Sequence, residues 1–267
     1  MSTTSKPPSQ SAPDAARAPG AASAPDAVPH YEIQGQTVRM PVEVRDASAG
    51  VATFLVSSRI ARRLVPADFE VVELFPRRTP LAIAVIDYRD NDLGDYDEVS
   101  LTFFVRPRGA RRGIPWLGGW IDLLTGRLAT WIWKLPVNQS FTCEAGSTIW
   151  GFPKTVESID LRRENNAVRC RLEMDGEHVL TLSIPHAGTR VLPEQDSVTY
   201  THIEGVAHRT RFAQGGTGVG FSAGGARLEL GTHPVADTLG SLGLPKRALF
   251  SMWTEHMHGR FEAPEKL

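Results

Sequence analysis

The chain has 267 residues, with 29 Lys and Arg against 30 Asp and Glu and a formal net charge of −1. That balance argues against a dominant nucleic-acid or membrane-surface role, since both call for a basic excess or patch. Two cysteines, Cys143 and Cys170, are too few for a disulfide framework and lack the paired spacing of a zinc site, so a reducing, cytoplasmic location is expected.

Residues 1–29 are Pro, Ala and Ser with almost no large apolar side chains. Such a segment buries too little surface to offset the entropy of ordering, and is expected to be a disordered tail. It has no apolar core of a secretory signal, and Asp14, Asp26 and a shortage of Arg speak against a transit peptide. Residues 30–267 are then expected to form a single domain, and no apolar run reaches the roughly 18 residues of a membrane-spanning helix.

Along the rest of the chain, strand signals dominate. SRIARRLVP (58–66) reads as a short amphipathic helix stopped by Pro66. LAIAVIDYR (81–89) and VSLTFFVRP (99–107) are short runs rich in β-branched and aromatic residues. GWIDLLTGRLATWIWKLP (119–136) carries Asp122, Arg127 and Lys134 among its aromatics and reads as a core or partner helix, not a span. VESIDLRRE (156–164), AVRCRLEM (167–174) and HVLTLSIP (178–185) read as three strands joined by hairpin turns at NNAV and DGEH. QGGTGVGFSAGG (214–225) lacks the Gly-Lys-Ser/Thr ending of a phosphate loop and is expected to be a mobile glycine loop. VADTLGSLGLP (235–245) reads as a second helix ended by proline. Many strands, few helices and no βαβ alternation predict a mainly antiparallel β domain closed into a barrel.

Few residues suggest chemistry. His256 and His258 would share one side of a strand, but no third ligand is evident, and His202 and His208 fare no better, so no metal is expected. No Gly-x-Ser-x-Gly elbow points to a serine hydrolase. Two features remain. Lys154 follows an aromatic, proline-bent turn, Trp150-Gly151-Phe152-Pro153, and Glu98 opens a strand that is otherwise largely apolar. Either could be structural, with Lys154 reaching to water and Glu98 guarding a strand edge.

The order and spacing of several segments resemble the acetoacetate decarboxylase family from about Phe54 to Pro264. They are FLVSSRIARRLVP (54–66), Tyr96-Asp97-Glu98, LPVNQSFTCEAG (135–146), the WGFPK turn (150–154) and ARLELGTHPVADTLGSLGLP (226–245). The resemblance implies a cone-shaped, closed antiparallel β-barrel with flanking strands and a few helices. It makes Lys154 a Schiff-base lysine and Glu98 an active-site carboxylate, with Trp150, Phe152, Tyr96, Leu55 and Arg59 at the substrate. No cofactor is implied, the partner is a small keto acid, and close relatives are homo-oligomers.

An amine is nucleophilic only when unprotonated, and burial disfavours the cation, so a depressed Lys154 pKa is expected. The chain departs from the family's decarboxylases at three places. Thr155 replaces a second lysine, the arginine position that receives the substrate carboxylate falls on Leu55, and Gly146-Ser147-Thr148 replaces Gly-Arg-Glu. The implied activity is decarboxylation of a β-keto acid other than acetoacetate, in secondary metabolism or catabolism. Leu55, Phe152, Trp131 and Trp133 suggest a larger, more apolar substrate. Aldol or dehydratase chemistry through the same lysine iminium is the alternative, and a non-catalytic barrel binding a hydrophobic small molecule is a third.

Overall fold

The computed structural model describes Met1 and residues 29–110, 116–125 and 128–267. The expected tail falls almost wholly outside the described residues.

A hairpin of β1 (His30–Ile33) and β2 (Gln36–Arg39) leads into β3 (Val42–Ser57), followed by α1 (Ser58–Ala61), β4 (Phe69–Val71), β5 (Arg78–Asn91) and β6 (Tyr96–Pro107). Next come α2 (Leu117–Leu124), β7 (Ala129–Val137), α3 (Ser140–Trp150) and β8 (Lys154–Val156). The remainder comprises β9 (Ser158–Arg163), β10 (Ala167–Met174), β11 (Glu177–Pro185), β12 (Arg190–Ile203), β13 (Val206–Ala223), β14 (Arg227–Leu230), α4 (Pro234–Ser241), β15 (Phe250–Phe261) and β16 (Glu265–Lys266).

Seven strands pair in the ring β6-β5-β3-β15-β13-β12-β7, and a β6–β7 pairing closes it into the expected barrel. Closure leaves the ring without an unpaired edge. The second sheet, β14-β11-β10-β9, contains the three consecutive strands read from the sequence. Asp175 and Gly176 form the two-residue turn between β10 and β11, both at positive φ, as the Asp-Gly pair favours.

The near-continuous apolar runs of β5 and β6 reflect strands covered on both faces. Leu81, Ile83, Val85, Val99, Leu101 and Phe103 face outward and form one core with Cys170, Leu172, Leu180 and Leu182 of the second sheet. The alternate positions, Ala82, Ala84, Ile86 and Tyr88 on β5 and Tyr96, Glu98, Ser100 and Thr102 on β6, face the barrel interior. Ala49, Ala82 and Ala84 are too small to fill that interior, and they help to leave a cavity of about 240 Å³.

Four expectations are corrected. QGGTGVGFSAGG is no loop but lies almost wholly within β13, where Gly216 has so little room that a Cβ would sit 2.6 Å from the His256 carbonyl oxygen. The 119–136 segment is not one helix: α2 ends at Leu124 and β7 begins at Ala129. Within β7, Thr130 and Ile132 face the cavity while Trp131 and Trp133 pack on the outer core, so these tryptophans do not shape the interior. The first helix is a single turn, Ser58–Ala61, rather than a run to Pro66. No helix among the described residues is long and apolar enough to cross a membrane.

Candidate active site

Glu98 and Lys154 are 56 positions apart, and β7 brings them together. Glu98 on β6 is the register partner of Val137, and Leu135, two residues back along β7, is the partner of Lys154 on β8. The Lys154 Nζ lies 2.9 Å from Glu98 Oε2, with side-chain exposures of 4% and 9%.

Helix α3 supplies the remaining wall. Its N-terminus is capped by Gln139, whose side-chain oxygen accepts a hydrogen bond from the Thr142 amide at 2.7 Å. Its C-terminus ends at Gly151, in the left-handed conformation that glycine adopts without penalty. The close approach also demands glycine, since a Cβ there would lie 2.5 Å from the His202 carbonyl oxygen. Thr142 and Gly146, four residues apart, share a helix face. The Lys154 Nζ donates to Thr142 Oγ1 at 3.0 Å. A Cβ on Gly146 would stand 2.6 Å from Lys154 Cδ, so this glycine is the clearance through which the lysine passes.

The aromatic turn before the lysine also faces the interior. Trp150 and Phe152 are buried, stack on one another at 5.7 Å between centroids, and line the cavity. Tyr96 places its ring 4.9 Å from the Lys154 Nζ and stacks on Tyr88 at 4.5 Å. Tyr88, Thr142 and Gly146 were not singled out in the sequence. Their signals were the even spacing Tyr88, Ile86, Ala84 along β5, and helical spacing within SFTCEAG.

Leu55 and Arg59 are not brought to this site. Leu55 lies on β3 opposite Pro80, one step past the Thr53–Ala82 pair where the cavity lining on β5 ends, and neither residue lines the cavity. Arg59 is exposed on α1. A larger cleft of about 650 Å³ lies between β4, the end of β6 and α2, bordered by Arg62, Glu73, Arg106 and Arg108. It contains neither Lys154 nor Glu98, so the internal cavity is the candidate site.

The electrostatics correct the expectation of a depressed lysine. Burial is the largest single influence on Lys154 and pushes its pKa down, but the Glu98 carboxylate and Tyr96 outweigh it and hold the amine above its ordinary value. Lys154 thus rests as an ammonium in contact with Glu98. Burial, followed by the charge of Glu98, holds the Tyr88 hydroxyl well above the usual phenol range. Burial likewise raises Tyr96, although Lys154 opposes the shift. Both phenols therefore remain protonated. No group of three or more His, Cys, Asp or Glu side chains able to hold a metal occurs among the described residues.

A closed barrel with a sealed Lys–Glu pair inside it defines a class of small-molecule site. The acetoacetate decarboxylase family model matches residues 28–259, and the chain belongs to that family. An acetoacetate decarboxylase from Legionella pneumophila subsp. pneumophila str. Philadelphia 1 is similar in fold, with a TM-score of 0.62 and 16% identity, over 85% of this chain and 87% of that one. The enduracididine biosynthesis enzyme MppR complexed with pyruvate gives a TM-score of 0.57 at 14% identity, over 85% and 90% of the two chains. An acetoacetate decarboxylase-like enzyme from Sphingomonas wittichii RW1 gives 0.54 at 13%, over 85% and 92%. No curated protein matches the sequence.

Proposed function

We propose that the chain is a Schiff-base lyase that decarboxylates a β-keto acid other than acetoacetate. The observation that carries this reading is the sealed contact between Lys154 Nζ and Glu98 Oε2, within a cavity sized for a small molecule. Membership of a decarboxylase family supports an enzyme acting on a keto acid.

The ion pair answers how a charged lysine becomes a nucleophile. Passing one proton from Nζ to Oε2 turns two buried charges into two neutral groups, which relieves the desolvation cost that water would otherwise remove. The free amine adds to the ketone carbonyl, and the protonated Glu98 returns its proton as water departs. An iminium cation remains beside a carboxylate. The bond to the substrate carboxyl group then breaks, its electron pair moves into the iminium to give a neutral enamine, and carbon dioxide leaves. One proton from solvent, relayed by Glu98, reaches the enamine carbon, and water releases the ketone. Overall, keto acid anion and one proton become ketone and carbon dioxide. Tyr88 and Tyr96, held protonated, serve as hydrogen-bond donors in this scheme and not as acids.

Incubation with a panel of keto acids followed by borohydride reduction tests the reading. A reduced adduct on Lys154, identified by mass spectrometry and accompanied by carbon dioxide release, is expected, and Lys154→Ala abolishes both. An adduct without release would replace decarboxylation by condensation or dehydration. The absence of any adduct would overturn the covalent mechanism.

A further inference from the structure

Among the described residues lining the cavity, Lys154 and Glu98 are the only ionised side chains, and they neutralise each other. Every other polar group on the wall is neutral. Ser100 and Thr102 follow Glu98 on the same face of β6, about 7 and 13 Å along the strand. Their hydroxyls hydrogen-bond to each other at 2.6 Å. Thr130 and Thr199 pair in the same way at 2.9 Å, where β7 meets β12. Gln214 on β13 also faces the cavity.

Such a wall discriminates by charge. A second ionised substrate group, away from the carboxylate set beside the iminium nitrogen, would be buried with no counter-charge, at a cost of several kcal/mol. An uncharged carbonyl, amide or hydroxyl would instead meet neutral donors and acceptors and escape that cost. Size adds a limit: a cavity of about 240 Å³ leaves room for only a short tail beyond the keto acid head.

We propose that this hydroxyl- and amide-lined wall is a subsite for an uncharged hydrogen-bonding tail, so that the substrate is a short β-keto acid whose only anion is the carboxylate that departs. The assignment rests on the Schiff-base reading of Lys154. It goes further in naming Gln214 and the paired hydroxyls as determinants of specificity.

Three compounds of nearly equal length separate the possibilities: 3-oxopentanedioate, its monoamide and 3-oxohexanoate. Each is assayed for enzyme-dependent carbon dioxide release and for borohydride trapping on Lys154. The monoamide is expected to have the highest kcat/KM, with the dianion at least about a hundredfold lower and the methyl-ended acid between them. In Gln214→Leu, the advantage of the monoamide over 3-oxohexanoate falls by about tenfold. A dianion that is trapped and turned over as well as the monoamide overturns the subsite and leaves the lysine mechanism standing. If none of the three is trapped, the lysine mechanism fails and the subsite with it.

Discussion

Removing the charge of Glu98 while keeping its shape separates the two opposing influences on the nucleophile. At 2.9 Å, and with an effective dielectric constant of about 20, the pair is held by roughly 6 kcal/mol of Coulomb attraction. In Glu98→Gln that attraction disappears, while the burial that pushes the Lys154 pKa down remains. The Lys154 pKa should therefore fall, with Tyr96 alone left to oppose burial, and the resting amine becomes neutral at lower pH. Adduct formation should then begin at lower pH than in the wild type. Turnover should nevertheless fall by about 10²–10⁴-fold, because the proton relay for dehydration and for enamine protonation is gone. The assay is the rate of borohydride trapping against pH for both proteins, with carbon dioxide release measured alongside. If the trapping profile of Glu98→Gln stays where the wild type's lies, or moves to higher pH, the account of the pair is wrong.

Three further outcomes are expected. Thr142→Val deprives the Lys154 Nζ of its second acceptor; it should cost about 1–3 kcal/mol in urea unfolding and lower kcat, and Thr142→Ser should restore both. Gly146→Ala places a methyl 2.6 Å from Lys154 Cδ; it should displace the amine from Glu98 and depress trapping at least tenfold, while circular dichroism keeps the β signature. Burial, and then the charge of Asp87, push the Asp97 carboxyl up to about 6. Because its folded value exceeds the unfolded one, this group favours the native state below about pH 4 and loses that contribution as pH rises through about 6. Asp97→Asn should therefore flatten the thermal-melting profile across that window and raise the melting temperature at pH 7.

The barrel was legible because its strands announce themselves locally. LAIAVIDYR and VSLTFFVRP are rich in β-branched residues, and the Asp175-Gly176 turn fixes a hairpin by its own backbone preference. The lysine and its carboxylate were legible only through the resemblance, since nothing local relates Glu98 to a residue 56 positions later. What escaped was governed by contacts distant in sequence. The glycines of 214–225 suggest a loop by composition, yet close backbone approaches within the ring demand them in a strand. Trp131 and Trp133 look like cavity walls until the register of β7 turns them outward. Arg59 sits two residues beyond a strand end, and its direction depends on a single helical turn. The sign of the lysine shift required the Glu98 distance, which no one-dimensional pattern contains.

On the proposed mechanism, the seam formed by β6, β7 and β8 makes chemical competence a late event in the life of the chain. In the unfolded polypeptide Lys154 titrates as an ordinary lysine and is almost entirely protonated at neutral pH, hence inert towards carbonyl compounds. Only when β7 is seated between its two neighbours, in the register that aligns Val137 with Glu98 and Leu135 with Lys154, does the amine gain a base to surrender its proton to. A slip of one residue would turn one of the two side chains to the opposite face of the sheet. Under that mechanism, newly made or misassembled chains are unarmed, and stray aldehydes and ketones would meet a reactive nitrogen only after ring closure has screened what can enter.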